Sequence, residues 1–222
     1  MWRGGKVHQL QVILLGRDAP AYRSWFADLN RDGRPDLIVA GEWMTPKIFQ
    51  NQEGKLVELT EVRGLDNSEG WWCSIEPADV DEDGDMDLLL GNAGINMQFK
   101  ASPAEPVHLF AGDLNQDGVL DPVINYYIQG KSYPMATRDE LLDQVSTLKK
   151  KFIRYEDYAA ATMQDIASED VLEKSLKLKA QRLQSGWLEN TGKKGFQLHA
   201  FPDAAQFSSL LGFLFGDFTG DG

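Results

Sequence analysis

The sequence has a single cysteine, Cys73, among 222 residues. One thiol can form neither an internal disulfide nor a cysteine-based zinc site, so the chain is not a disulfide-stapled scaffold, and we expect an inert, buried thiol. Basic residues are also scarce, since 22 Lys and Arg stand against 34 Asp and Glu, for a formal net charge of -12. This balance argues against nucleic acid and anionic membranes as partners and favours cations.

Long apolar runs and catalytic motifs are missing as well. The run Val12 to Leu15 is too short for a signal-peptide core or a membrane span, so we expect no membrane insertion and an export signal outside this sequence. No P-loop, G-x-S-x-G elbow or dinucleotide fingerprint occurs. The three histidines, His8, His108 and His199, have no metal-binding spacing and are interpreted as residues on strands. We therefore expect a protein that is not an enzyme.

What the sequence does contain is a repeat of the form D-x-[DN]-x-D-G-x-x-D. Complete copies stand at 28–36, 79–87 and 113–121, and a fourth, at 217–222, stops within the motif, so we expect the protein to continue. Apolar residues precede each copy, and the short apolar runs DLIVAG and DLLLGN begin at the last Asp of the first two. This pattern predicts a strand entering and a strand leaving each loop.

Strand, Asp loop, strand and hairpin together are the content of one four-stranded propeller blade. The predicted fold is therefore all-β, with residues 1–222 forming part of a propeller whose ring is incomplete. The second unit lacks a hairpin of its own. The hairpin GWLENTGKKGFQLHAF is assigned to the blade before Asp217, because Asn190 precedes Asp217 much as Asn51 precedes Asp79.

One segment has a different composition. Residues 137–181 contain neither Gly nor Pro and are rich in Leu, Lys, Glu, Asp and Ala, which predicts an α-helical insertion within one blade. Thr137 followed by Glu140 is a capping-box pattern, and Ser168 is a second expected N-cap.

The Asp loops carry the candidate chemistry. Calcium prefers six to eight oxygen ligands at about 2.3 to 2.6 Å, and acidic side chains at positions 1, 3, 5 and 9 of a tight loop can supply them, with a backbone carbonyl at position 7. The predicted calcium ligands are Asp28, Asn30, Asp32, Arg34 and Asp36; Asp79, Asp81, Asp83, Asp85 and Asp87; Asp113, Asn115, Asp117, Val119 and Asp121; and Asp217 and Asp221 in the incomplete loop.

Other interpretations of these loops fit the sequence less well. Asp, Asn and Gly also favour plain β-turns, but four clustered carboxylates without a cation would repel one another. An EF-hand needs Glu at position 12, where the three loops have Val39, Leu90 and Ile124. Magnesium fits less well than calcium, because it prefers strict octahedral geometry and retained water.

The loops and their flanking strands resemble FG-GAP or VCBS repeats, known from integrin α-subunit propellers and exported bacterial proteins. The segments GEWMTPKIFQNQEGKLVEL, EGWW and PVINYYIQGKSYPMATRDELL also resemble proteins related to the ASPIC and UnbV group and to cartilage acidic protein. The resemblance implies one calcium ion per loop and a secreted, periplasmic or cell-surface protein engaged in adhesion, glycan handling or assembly.

The function expected is a calcium-binding, non-catalytic scaffold or adhesion module that binds a protein or glycan at the propeller face or the helical insertion. The alternatives are part of a carbohydrate-active or other hydrolytic enzyme whose active residues lie elsewhere, and a purely structural domain. An open ring would also expose apolar faces, so self-association is expected. The aromatic residues could line a sugar-binding surface, although core packing is favoured: Trp43, Trp71, Trp72, Tyr126, Tyr127 and Tyr133.

Overall fold

The computed structural model describes residues 21–60 and 62–216. Three antiparallel sheets and four short helices make up this part of the chain, so the predicted all-β fold with propeller-type blades and a helical part is confirmed. The expectations for His8, Asp217 and Asp221 lie outside the described residues.

Sheet 1 follows the order of the chain. It consists of β1 (Ala21–Ala27), β2 (Asp36–Met44), β3 (Lys47–Gln52) and β4 (Lys55–Glu58), and the short β5 (Gly70–Trp71) pairs with the end of β2. Glu53 and Gly54, between β3 and β4, both have positive φ, 53° and 90°. A two-residue turn of this kind matches the twist of a hairpin and sets its register.

Sheet 2 is assembled from two separated stretches of the chain. Its members are β6 (Ser74–Ala78), β7 (Asp87–Gly91), β12 (Gly186–Asn190) and β13 (Phe196–Ala200), with β7 paired to β12. The hairpin assigned from the sequence to the blade before Asp217 therefore completes the sheet of the second Asp loop. The spacing of residues along the chain could not show this, because β12 pairs with a strand that is far from it in the sequence.

Residues 92–185, between the two halves of sheet 2, contain sheet 3. Its strands are β8 (Val107–Gly112), β9 (Asp121–Ile128), β10 (Lys131–Pro134) and β11 (Leu176–Ala180), in the order β10-β9-β8-β11. Because β11 pairs with β8 rather than with β10, this sheet departs from the sequential order of sheet 1.

The helices lie between β10 and β11. They are α1 (Arg138–Gln144), α2 (Tyr155–Ala159), α3 (Met163–Ile166) and α4 (Glu169–Lys174), with a 3₁₀ turn at Ser146–Lys150. The capping box of Thr137 and Glu140 is present, whereas the Ser168 side chain makes no capping bond. Helix was expected up to residue 181, but residues 176–180 form β11, in which Lys and apolar residues alternate with the period of a strand.

Sheets 1 and 2 share one buried cluster. It contains Ile38 and Ala40 of β2, Leu88 and Leu90 of β7, and the fully buried Trp72. This packing brings the first two Asp loops together. A second cluster, Trp43, Phe99, Val107, Ala180 and Leu183, joins sheet 1 to sheet 3, and the helices cover the other face of sheet 3 around Val123, Leu141, Val145 and Phe152.

The paired tryptophans point in opposite directions, as expected from adjacent residues. The Trp72 Nε1 donates to the Ser68 carbonyl at 3.0 Å inside the core. Trp71 is half-buried and packs edge-on against Trp43, with ring centroids 4.9 Å apart, and against Phe99 at 5.5 Å. Core packing therefore accounts for both side chains.

Candidate metal centres

The three Asp loops share one backbone conformation. The residues at positions 4 and 6 have positive φ, and the position-6 amide donates to the Asp at position 1. At position 4 the φ values are 59° for Arg31, 61° for Glu82 and 61° for Gln116. The amide of the position-6 glycine donates to the first Asp in each loop: Gly33 to Asp28 at 2.8 Å, Gly84 to Asp79 at 3.0 Å and Gly118 to Asp113 at 2.8 Å. Glycine at position 6 tolerates this conformation, and its amide holds the carboxylate of the first Asp within the loop.

The side chains at positions 3 and 5 also organise the loop. In loop 1 the Asn30 Oδ1 accepts from the Asp32 amide at 3.1 Å, and the Asp32 Oδ1 accepts from the Arg34 amide at 2.9 Å. In loop 3 the Asn115 Oδ1 and Asp117 Oδ1 accept the corresponding amides at 3.0 and 2.9 Å. Side-chain oxygens of the predicted ligands thus accept hydrogen bonds from the backbone amides of their own loops.

The Asp at position 9 has a role that the sequence did not reveal. Asp36, Asp87 and Asp121 are 1%, 0% and 2% exposed. The Asp87 Oδ2 accepts from the Val80 amide at 2.9 Å and its Oδ1 from the Asn190 amide at 2.7 Å, so one carboxylate links the loop to β12.

Loop 1 has the same link, to Asn51 of β3, and in loop 3 the bond from the loop amide recurs. The Asp36 oxygens accept from the amides of Leu29 (3.3 Å) and Asn51 (2.8 Å), and the Asp121 Oδ2 accepts from the Leu114 amide at 3.0 Å. Burial and neighbouring loop carboxylates raise the pKa of all three position-9 residues. At Asp36 and at Asp87, the two backbone amides that donate to the carboxylate lower its pKa and so offset part of this rise. In the sequence, this role of the position-9 Asp is indicated only by Asn51 and Asn190, which stand at similar distances before the next Asp loop.

Loop 2 gathers three carboxylates into one group. Oxygen atoms of Asp79, Asp81 and Asp87 all lie within 4.8 Å of one another. The Asp79 Oδ1 is buried without a hydrogen-bond partner. A buried, unpartnered carboxylate oxygen is costly unless a cation or donor reaches it, and this set of hard oxygen atoms suits calcium. These predicted ligands therefore fit the ion.

Loops 1 and 3 differ from loop 2 in detail. The sequence predicts a role only for the Arg34 backbone carbonyl. The Arg34 side chain pairs with the Asp32 Oδ2 at 2.6 Å and donates from Nε to the Asn51 carbonyl at 3.0 Å. In loop 3 the corresponding Val119 is 62% exposed. The guanidinium of Arg34 thus occupies an oxygen that calcium would use in loop 1, and nothing comparable stands at that position of loop 3.

Loops 1 and 2 contact each other directly. The Arg31 Nη2 lies 3.6 Å from both Asp83 Oδ1 and Asp85 Oδ2. The Asn190 Nδ2 donates to the carbonyls of Leu29 (2.8 Å) and Met86 (3.2 Å), one from each loop. The two loops therefore form one structural unit, whereas loop 3 belongs to sheet 3.

Asp85 was expected to offer only its backbone carbonyl, but its side chain is buried at the contact between these loops. Its Oδ1 has no hydrogen-bond partner. Burial, followed by the neighbouring Asp83 carboxylate, raises the pKa of Asp85 to about 6. Its folded-state pKa thus lies above that of the unfolded chain, so its ionisation destabilises the fold as pH rises through about 6.

We expect Asp85→Asn to stabilise the protein in chelator at pH 7 by about 1 to 2 kcal/mol, because the buried charge is removed. The free energy of unfolding is measured by urea titration from pH 4 to pH 7. Wild type should gain stability as pH falls from 7 to 5, and the variant should gain less. The gain that remains comes from Asp36, Asp87 and Asp121, whose pKa values are also raised. A difference between the two proteins that is as large at pH 4 as at pH 7 would contradict the prediction.

The two described histidines lie on strands, as expected. His108 on β8 is half-buried, and its pKa is lowered by burial and then by Lys179. His199 on β13 stacks on Trp187 with centroids 4.7 Å apart, and its Nε2 lies 2.6 Å from the Glu189 Oε2. Cys73 is half-buried rather than buried, and burial raises the pKa of its thiol.

Comparison with known proteins agrees with the architecture of the first two loops. Residues 28–90 match the family model described as FG-GAP-like repeat. This span begins at loop 1 and ends in β7, so it contains both loops of the shared unit. No curated protein and no solved structure matches the chain, and no relative shows the closer resemblance to the ASPIC and UnbV group. The match supports the FG-GAP repeat family for this part of the chain.

Proposed function

We propose that this protein is a calcium-stabilised, non-catalytic scaffold or adhesion module that acts outside the cytoplasm by binding a protein or glycan. The FG-GAP-like repeat at residues 28–90 supports an extracellular adhesion or scaffold role, because such repeats typically occur in surface proteins. No helix in the described ranges is long and apolar enough to cross a membrane.

The observation that carries the proposal is the carboxylate group of loop 2. Asp79, Asp81 and Asp87 bring three acidic side chains together, and one buried oxygen lacks a donor. A bound calcium ion would offset the mutual repulsion of these side chains and join the loop to the strands on either side. Because Asp87 also holds β12, the ion would stabilise the contact between the two halves of sheet 2.

The proposal predicts calcium-dependent stability. In calorimetric titration the protein should bind calcium at the Asp loops, and saturation at 100 times Kd should stabilise it by about 2.7 kcal/mol per site. For a chain of this size, that corresponds to a rise in Tm of roughly 5 to 10 °C per site. The Asp81→Ala, Asp83→Ala double variant should lose about one site.

Two controls accompany the titration. Asp66→Ala removes an exposed acid outside the loops and should leave the number of sites unchanged. Magnesium at the same concentration should raise Tm less than calcium does. If the folded protein gives neither heat of binding nor a Tm shift with calcium, the loops are plain turns and the proposed function fails.

A further inference from the structure

Loop 1 (28–36) and loop 3 (113–121) carry the same predicted side-chain ligands on the same backbone. Both have Asp, Asn, Asp and Asp at positions 1, 3, 5 and 9. In both, the amides at positions 5, 6 and 7 donate to the side chains at positions 1, 3 and 5 at 2.8 to 3.1 Å. The main differences between the two loops therefore lie at the other positions.

The three loops differ in net charge. Loop 1 has three Asp and two basic residues, Arg31 and Arg34, for a formal charge of -1. Loop 3 has three Asp and no basic residue, for a charge of -3, and loop 2 has five Asp and Glu82, for a charge of -6. The affinity of a calcium loop depends on the charge of its ligands and of the groups beside them. Loop 1 is therefore the least favourable of the three for a divalent cation.

The Arg34 side chain is held against the position-5 ligand of loop 1. Its Nη2 donates to the Asp32 Oδ2 at 2.6 Å, and its Nε donates to the carbonyl of Asn51, on β3, at 3.0 Å. Asn51 is itself fixed, because its amide donates to Asp36 at 2.8 Å and its Nδ2 donates to the Pro35 carbonyl at 3.1 Å. The guanidinium is thus held at two points.

Both carboxylate oxygens of Asp32 accept hydrogen bonds. The Oδ1 accepts from the Arg34 amide at 2.9 Å, and the Oδ2 accepts from the Asn30 Nδ2 at 3.0 Å as well as from the Arg34 guanidinium. In loop 3 the residue at position 7 is Val119, whose side chain has no donor for Asp117. The position-5 ligand is therefore more strongly engaged in loop 1 than in loop 3.

Calcium binding at loop 1 has a cost that loop 3 does not share. If the guanidinium stays in place, its positive charge lies beside the bound ion. If it moves away, its bonds to Asp32 and Asn51 are lost. The Arg34 side chain is 45% exposed, so water screens its charge and the expected effect is moderate.

We propose that Arg34 weakens calcium binding at loop 1, so that loop 1 fills at a free calcium concentration about tenfold above the concentration that fills loop 3. Arg34 supplies a positive charge of the chain itself at a position where loop 3 has none. This role of Arg34 rests on the proposed calcium binding and sets the order in which two of the sites fill. Loop 1 should keep its place on β3 at low calcium, since Arg34 and Asp36 both bond to Asn51 without the ion.

The test is an NMR titration of the isotope-labelled, full 222-residue chain at free calcium concentrations set by a chelator buffer. The amides of Gly33 and Gly118 donate to the first Asp of loops 1 and 3 and report the two sites separately. Gly118 should reach half of its shift change at a calcium concentration about tenfold below that of Gly33.

Exchange of the position-7 residues tests the assignment to Arg34. Arg34→Val, which puts the residue of loop 3 into loop 1, should tighten calcium binding at loop 1 about tenfold. Val119→Arg should weaken binding at loop 3 about threefold, as expected from an exposed charge alone. Lys149→Gln removes a positive charge at the exposed 3₁₀ turn and should change neither affinity by more than about twofold. Val119 shows that valine suits this loop conformation, so Arg34→Val should fold.

The outcomes separate this inference from the proposed function. Half-saturation of Gly33 and Gly118 at the same calcium concentration, or an unchanged affinity of loop 1 in Arg34→Val, would overturn the role of Arg34. The Gly84 amide reports loop 2 in the same spectra. A calcium response at Gly84 and Gly118 without a difference between loops 1 and 3 rejects the role of Arg34 alone, whereas no response at any of the three glycines rejects the proposed function as well.

Discussion

Asp87→Ala should destabilise the metal-free protein by about 3 to 4 kcal/mol, measured by urea unfolding in chelator. The side chain is fully buried and accepts from two backbone amides, those of Val80 and Asn190, at 2.9 and 2.7 Å. Alanine leaves both donors buried without an acceptor, and each such loss costs about 1 to 3 kcal/mol. Part of the cost is offset, because the charge of Asp87 is itself disfavoured by burial.

Asp81→Ala is the matched control within the same loop. Asp81 is exposed, and its Oδ1 accepts only a long bond of 3.3 Å from the Asp83 amide. In chelator the control should therefore lose less than about 1 kcal/mol, while both variants should lose calcium binding at loop 2. Equal destabilisation by the two substitutions in chelator would show that the bonds of Asp87 do not hold sheet 2 together.

Trp72→Ala should cost about 3 to 5 kcal/mol, the range for deleting a large core side chain. Trp72 is fully buried between sheets 1 and 2, and its Nε1 donates to the Ser68 carbonyl. Truncation leaves a cavity at the packing that brings loops 1 and 2 together. Thermal and urea unfolding measure the loss, and the second readout is calcium affinity at those two loops, which should fall as their contact loosens.

Trp25→Ala provides the comparison for this prediction. Trp25 on β1 is 41% exposed and lies outside the buried cluster around Trp72. Its truncation should cost less than half as much as that of Trp72 and should leave calcium affinity unchanged. If Trp25→Ala were the more damaging substitution, the assignment of Trp72 to the main inter-sheet core would be wrong.

The local structure of the Asp loops could be predicted from the sequence because its causes are local. Glycine at position 6 and acidic or amide side chains at positions 1, 3 and 5 act within a few residues of one another. The loops and the strands at either side followed directly. Positive φ at Arg31, Glu82 and Gln116 gave no such signal, since these residue types do not favour that conformation.

Pairing between distant strands could not be predicted in the same way. Asn190 was assigned to the loop at Asp217 from its spacing, yet its amide bonds to Asp87 across residues 92–185. The pairing of β12 with β7 joins two strands that are far apart in the chain, and it leaves no fixed distance in sequence.

Residues 92–185 separate the two halves of sheet 2 along the chain. The chain leaves the sheet after Gly91 and returns at Gly186, and the Asn92 amide donates to the Ser185 Oγ at 2.9 Å, so the two crossing points are adjacent. Closing such a long excursion costs about 3 kcal/mol more entropy than a four-residue turn. We therefore expect sheet 2 to form late in folding. Adjacent crossing points also mean that residues 92–185 could be gained or lost without separating β7 from β12, although Trp43 of sheet 1 would then lose its packing on sheet 3.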